Sequence, residues 1–106
     1  MNLGLVIYSD QAETVWNAFR LGVFALSNKD HVKAFLLGQG VEAENLNTDK
    51  FNVTEQMNAF VDKGGEILAC GTCLEIRQSG GSDLCPLATM KDLYELVQES
   101  DRVLTF

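Results

Sequence analysis

Two cysteines stand three residues apart in the stretch EILACGTCLEIRQ, at Cys70 and Cys73, and a third follows at Cys85. Thiols at this spacing support three chemistries. They can ligate zinc, which needs four nitrogen or sulfur donors. They can cycle between dithiol and disulfide, as a CxxC pair near a βαβ pattern does. Or the first can act as a nucleophile or sulfur carrier, its thiolate or more acidic persulfide favoured at a helix N-terminus. The inert alternative is that all three are small buried hydrophobes. Zinc lacks ligands: Cys85 is an available third, but the one histidine, His31, precedes its strand and falls at the opposite edge from the thiols. No metal and no cofactor is therefore expected. The redox reading places CxxC after the third strand rather than an early one, and would make Pro86 the facing proline. For Cys85, between Leu84 and Pro86, the inert reading is preferred. Cys70 instead ends the apolar run Ile67-Leu68-Ala69, where strand hands over to helix, and is the candidate nucleophile. Beside it, Gly71 and Thr72 offer unhindered backbone N–H groups to an anion. Arg77 is the one charge near the thiols in sequence; it either holds an anionic sulfur group or pairs with an acidic side chain.

These residues need a scaffold, and the hydrophobic pattern supplies one. Leu3–Tyr8 is a nearly continuous apolar run, followed by Ser9 and Asp10, which can cap a helix. Val15, Trp16, Phe19, Val23 and Leu26 then recur at helical spacing, while Leu21, Phe24 and Ala25 point elsewhere. Asn28 closes that helix, tolerating a left-handed conformation. Val32–Leu37 is a second strand, stopped by Gly38-Gln39-Gly40; the polar stretch after it reads as a loop or short irregular helix, with Glu42 and Glu44 on a solvated face. Asn52, three residues before Glu55, starts a helix with Met57, Phe60 and Val61 on its inner face, ended by Gly64-Gly65. Glu66–Ala69 is the third strand, residues 73–78 a short helix, and Ser82–Leu87 a short fourth strand. Thr89 with Asp92 caps a last helix carrying Met90, Leu93, Leu96 and Val97. Arg102–Phe106 closes the chain as a strand.

Strand and helix alternate throughout, which implies parallel strands with crossover helices. Runs apolar on both faces imply helices on both sides of the sheet. The expected fold is one domain over residues 1–106, a three-layer α/β/α sandwich with a mainly parallel sheet of about five strands. Ligands of such sheets bind outside the carboxyl ends of the strands. Ser9, Asp10, Gly38, Gly40, Cys70, Gly71 and Thr72 all gather there. Ser9 and Asp10 also read as a plain cap, and Gly38 and Gly40 as a turn, since neither a GxGxxG nor a P-loop lysine follows.

The whole-chain totals exclude several classes. The net charge is −7 and no basic run exists, so nucleic acid is not the expected partner, phosphate neutralisation being the main source of that affinity. No apolar run approaches the ~20 residues of a membrane helix. The opening MNLGLVIYSD has neither a cationic start nor a small-residue cleavage site, so a cytoplasmic location is expected. An odd number of cysteines in a reducing compartment fits thiol chemistry rather than a disulfide framework.

ACGTCLEIR, the GQGVEA after the second strand, and the ending DLYELVQESDRVLTF together resemble the DsrE/DsrF-like family, in its YchN-like stand-alone branch. The likeness runs over essentially the whole chain, and CGTC with its downstream arginine is its most specific part. It implies a three-layer α/β/α fold and a homotrimer or hexamer. It also implies a persulfide-carrying cysteine at the end of the third strand, which falls on Cys70, with Cys73 the second thiol of the CxxC form. Sulfur donor and acceptor proteins are the partners so implied. The family commonly has Arg-Gly after the cysteine helix; here Gln78 follows Arg77. The spacing of the two thiols adds that Cys73 is close enough to resolve a persulfide on Cys70.

Overall fold

Three apolar runs become the centre of a sheet. In the computed structural model, which describes residues 1–106, they are β1 (Asn2–Ile7), β2 (His31–Leu36) and β3 (Glu66–Cys70). Two shorter strands, β4 (Leu87–Ala88) and β5 (Arg102–Thr105), flank them, giving the order β4-β3-β2-β1-β5 with every pairing parallel. The connections are α1 (Ala12–Ser27), a 3-10 segment (Gly38–Asn45) with α2 (Val53–Asp62), α3 (Gly71–Ile76) and α4 (Met90–Glu99).

Successive side chains of a strand point to opposite faces, and β1 shows which helices lie where. Leu5 meets the face of α1 and α2: a Cβ at Gly22 of α1 would touch both Leu5 and Phe60. Phe19 and Phe60 pack edge to face across these helices at 5.5 Å. Gly4 faces the other way, where a Cβ would meet Leu96 Cδ2 of α4 at 2.6 Å. The core sits mostly on the first face, with Val15, Phe19, Val53, Met57 and Phe60 all fully buried. On the second face α4 alone covers the sheet. Its stripe is correspondingly narrow: Leu96 is buried and Leu93 packs partly, whereas Met90 and Val97, expected inside, are exposed. Val61 of α2 likewise turns outward, and Ala25 of α1 inward.

The caps divide into those made by local side chains and those not. Asn52 accepts from the Glu55 N–H at 3.1 Å, and Thr89 and Asp92 form a reciprocal capping box, each worth about 1 kcal/mol. Ser9 and Asp10 do not cap α1. Its N-cap is Gln11, and Ser9 Oγ instead accepts the Gln11 N–H at 3.0 Å. Asn28 keeps φ −92°, and the left-handed residue is Lys29 at φ 69°. The fourth strand is shorter and later than expected. Ser82–Cys85 is a hydrogen-bonded turn, with Cys85 N–H on Ser82 Oγ at 3.0 Å, and only Leu87 and Ala88 pair with β3.

The 3-10 segment is clamped to the end of β1. Leu37 N–H donates to Ile7 O at 2.9 Å. A Cβ on buried Gly40 would land on that same carbonyl, well inside contact distance. Backbone is the obstacle here, so the neighbour has no rotamer with which to yield. Gly40→Ala is expected to cost about 3 kcal/mol of stability in a urea titration.

Candidate functional site

β3 delivers Cys70 to the carboxyl edge of the sheet, and α3 begins at the very next residue, two positions earlier than its sequence pattern shows. Cys70 is therefore the N-cap of α3, a place usually taken by serine, threonine or a carboxylate side chain. Its Sγ accepts the Cys73 N–H at 3.3 Å. One helical turn carries Cys73 back over it, and the two sulfurs lie 2.6 Å apart. All three cysteines are free thiols.

The two thiols differ in their surroundings. Cys70 is buried, only 7% exposed, and Cys73 is more open. Burial pushes the Cys70 thiol above its ordinary value, and its contact with the Cys73 thiol adds to this; the backbone N–H groups of Cys73 and Thr72 pull the other way without prevailing. The open, anion-favoured thiol expected at the strand tip is thus a covered and largely protonated one, because α3 has only six residues and β4 closes one side of the strand end. Cys73 has a partner that local sequence does not reveal. The N–H of Gly38, the first residue of the 3-10 segment, donates to Cys73 Sγ at 3.2 Å across 35 residues. Gly38 is left-handed, φ 56°.

Arg77 does not reach a sulfur. Its Nη1 donates to the Cys73 carbonyl at 3.1 Å and its Nε pairs with Glu42 at 3.3 Å. Glu42, expected on a solvated face, is part of the scaffold around the thiols. Glu44 likewise accepts from the Ser82 hydroxyl. Gly71 opens α3 beneath Ala88, where a Cβ would come to 3.3 Å from its carbonyl, and Thr72 is exposed beside Cys70. Gly40 serves backbone packing on β1. Ser9 and Asp10 lie on the same edge but follow β1, two strands from β3, roughly 10 Å away at ordinary strand spacing. Neither is hydrogen-bonded to a thiol.

Cys85 occupies a different place. It is buried, 4% exposed, in the wall of a cavity of about 190 Å³ shared with Val41, Glu44, Leu74 and Ser82. Burial, then the Glu44 carboxylate, push its thiol far up the alkaline range. A second cleft, about 240 Å³, opens at the opposite edge of the sheet between β1, β2 and α4, lined by His31, Lys33 and Glu99. No three of the histidine, cysteine, aspartate and glutamate side chains converge on a point where a metal could bind.

The DsrE/DsrF-like family matches residues 1–106, the full length of the sequence. The chain belongs to the DsrE/DsrF-like family. An uncharacterized protein of Methanopyrus kandleri is 35% identical over 100 residues, covering 89% of this chain and 83% of its own. Another, of Methanocaldococcus jannaschii, is 34% identical over 100 residues, covering 89% and 88%. Among solved structures, the ychN protein of E. coli superposes with a TM-score of 0.84 at 19% identity, covering 100% of both chains. A conserved protein of unknown function from Bacteroides thetaiotaomicron gives 0.78 at 19% identity, covering 99% of this chain and 94% of its own. These two share the fold. One residue beside the site is strained: Gln78, after Arg77, is held at φ 53°. A glycine would adopt that conformation without the Cβ penalty.

Cys85 gives the stability of this DsrE/DsrF-like chain a pH dependence of definite sign. Its thiol is raised in the folded state, so above about pH 9 the unfolded chain loses a proton that the folded chain keeps. Stability is full below that point and falls as pH rises through the alkaline range, by up to about 1.4 kcal/mol per pH unit. Cys70 contributes in the same direction. Urea titrations at pH 8 and pH 10 should show the fall. Cys85→Ala should start less stable yet lose less between the two; an equal loss would show that Cys85 is not its source.

Proposed function

We propose that the protein is a small sulfur carrier of the sulfurtransferase type, working in the cytoplasm, that takes persulfide sulfur on the Cys70–Cys73 pair. The observation that supports this most directly is the pair itself: two free thiols 2.6 Å apart at the carboxyl end of β3, the position that carries sulfur in relay members of the family. In the loading step a cysteine thiolate attacks the terminal sulfur of a persulfide donor. A new S–S bond forms, the donor's S–S bond breaks, and the donor leaves as a thiolate. An acceptor protein takes the sulfur by the same exchange. Without an acceptor, the Cys73 thiolate attacks the Cys70 sulfur of the Cys70 persulfide. The two cysteines are then oxidised to a disulfide, the outer sulfur is reduced and departs as hydrosulfide, and an external thiol restores the pair.

Incubation with glutathione persulfide followed by mass spectrometry tests this. Wild-type protein should release sulfide and lose two hydrogens through a Cys70–Cys73 bond. After long incubation Cys73→Ser should retain one extra sulfur on Cys70. Loss of two hydrogens by the wild type, with no sulfur gained by Cys73→Ser, would make the pair a dithiol oxidoreductase. No change at all would leave a binding or assembly module of the same fold.

The same reading includes a homotrimer or hexamer. α1 supports it. Phe24 is 69% exposed and Leu21 38%, and with Met1, Leu3 and Leu104 they line an apolar groove of about 320 Å³ between α1 and β5. Exposed apolar surface of this kind commonly marks a subunit contact, and closed rings are its usual outcome. Light scattering at micromolar concentration should give a multiple of three chains. A mass near 11.7 kDa would refute the assembly.

A further inference from the structure

Deepening the sulfur-carrier reading, and resting on it, we infer that Cys73 is the thiol that receives sulfur from the donor, and that Gly38 is the positioning residue that readies it. Three observations converge on this assignment. Cys73 is the more open of the pair, while Cys70 is only 7% exposed. A thiolate meets an external donor where it is accessible. Second, Cys73 Sγ accepts the Gly38 N–H at 3.2 Å. A donated hydrogen bond favours the charged form of a group, and this donor comes from outside α3, from the first residue of the 3-10 segment that follows β2. Third, Gly38 holds φ 56° with nothing within 4 Å of a built Cβ. The requirement at this position is one of backbone conformation, not of space.

The groups facing Cys73 are few. From β3 there is the Cys70 thiol at 2.6 Å. From α3 there is Arg77, bound to the Cys73 carbonyl, and from the 3-10 segment Glu42, which neutralises that arginine. Arg77 is engaged with the Cys73 carbonyl and Glu42, so the Gly38 N–H is the one backbone donor to the Cys73 sulfur.

The division of labour follows. The Cys73 thiolate attacks the outer sulfur of the donor persulfide, and the donor departs as a thiolate. Cys70 then attacks the outer sulfur of the Cys73 persulfide. Its proton passes to the departing Cys73 sulfur across their contact, and no net oxidation occurs. Sulfur ends on Cys70, the covered position, where solvent reductants reach it less readily. Cys73 is the dock and Cys70 the store.

The experiment has two arms. In the first, wild-type protein is alkylated with iodoacetamide between pH 6 and pH 10 and mapped by peptide mass. Cys73 should label faster than Cys70. In a Cys70→Ser background, Gly38→Val should slow Cys73 labelling about ten-fold at neutral pH, because a β-branched residue resists positive φ and the N–H donor is lost. Gly38→Asn, which tolerates that conformation, should return the rate toward its original value; circular dichroism confirms that each variant is folded. Faster labelling of Cys70, or a Cys73 rate indifferent to Gly38→Val, overturns the inference. In the second arm, glutathione persulfide is added and sulfur gain is timed. Cys70→Ser should hold sulfur on Cys73, and Cys73→Ser should load Cys70 about ten-fold more slowly than wild type. Undiminished loading of Cys70 in Cys73→Ser also overturns the inference. If no variant gains sulfur, the sulfur-carrier reading fails, and the alkylation arm still decides which thiol Gly38 readies.

Discussion

β2 is hydrogen-bonded in parallel register to β1 on one side and β3 on the other, and everything at the carboxyl edge depends on that ladder. Ala34, Phe35 and Leu36 are buried almost completely, so the strand cannot slip by one residue without turning its apolar set over. With the register fixed, the ends of three strands come level, and the chain leaving β2 must turn at Leu37 and Gly38 beside the start of α3. The hydrogen bond from Gly38 to Cys73 is a consequence of this alignment. It ties Cys73 to the chain leaving the central strand, and it uses a left-handed residue.

The chain carries a net charge of −7, and beside the thiol pair Arg77 and Glu42 neutralise each other at 3.3 Å. Their ion pair is partly exposed and weak on its own account. Its larger effect is geometric: Arg77 also holds the Cys73 carbonyl, so the last turn of a very short helix is anchored to the 3-10 segment. The polarity at the sulfurs comes from backbone N–H groups of Thr72, Cys73 and Gly38, which are fixed by the fold and unaffected by salt.

What could be read from sequence follows the range of the interactions. Strands 1 to 3 were legible because both faces are buried and the runs are continuous. The caps at Asn52 and Thr89 were legible because each is completed within four residues. The family pattern around CGTC located the thiols. Other features were not visible, for identifiable reasons. Gln11 caps α1 with no side-chain bond, so Ser9 and Asp10 looked the better signal. The turn at Ser82–Cys85 looked like strand because Leu84 and Cys85 are apolar, although neither pairs with β3 and Cys85 lines a cavity. The burial of Cys70 depends on β4, a two-residue strand. The Gly38–Cys73 bond spans 35 positions, and no local pattern encodes it.

α4 and β5 form a thin part of this architecture. β5 has one pairing partner and all four of its side chains are exposed. α4 holds the sheet chiefly through Leu96 seated against Gly4. The tie between Asn2 and Asp101 closes a loop of 99 positions, so these contacts carry a high loop-closure entropy. Of the side chains of α4 and β5, only Leu96 is buried. Detaching α4 and β5 together leaves the aromatic and apolar core beneath α1 and α2 undisturbed, while it frees the outer edge of β1 and bares Val6 and Phe35. An open edge beside an apolar face is the kind of surface that pairs with another chain. The last helix and strand of the fold thus act as a removable shutter over a sticky edge.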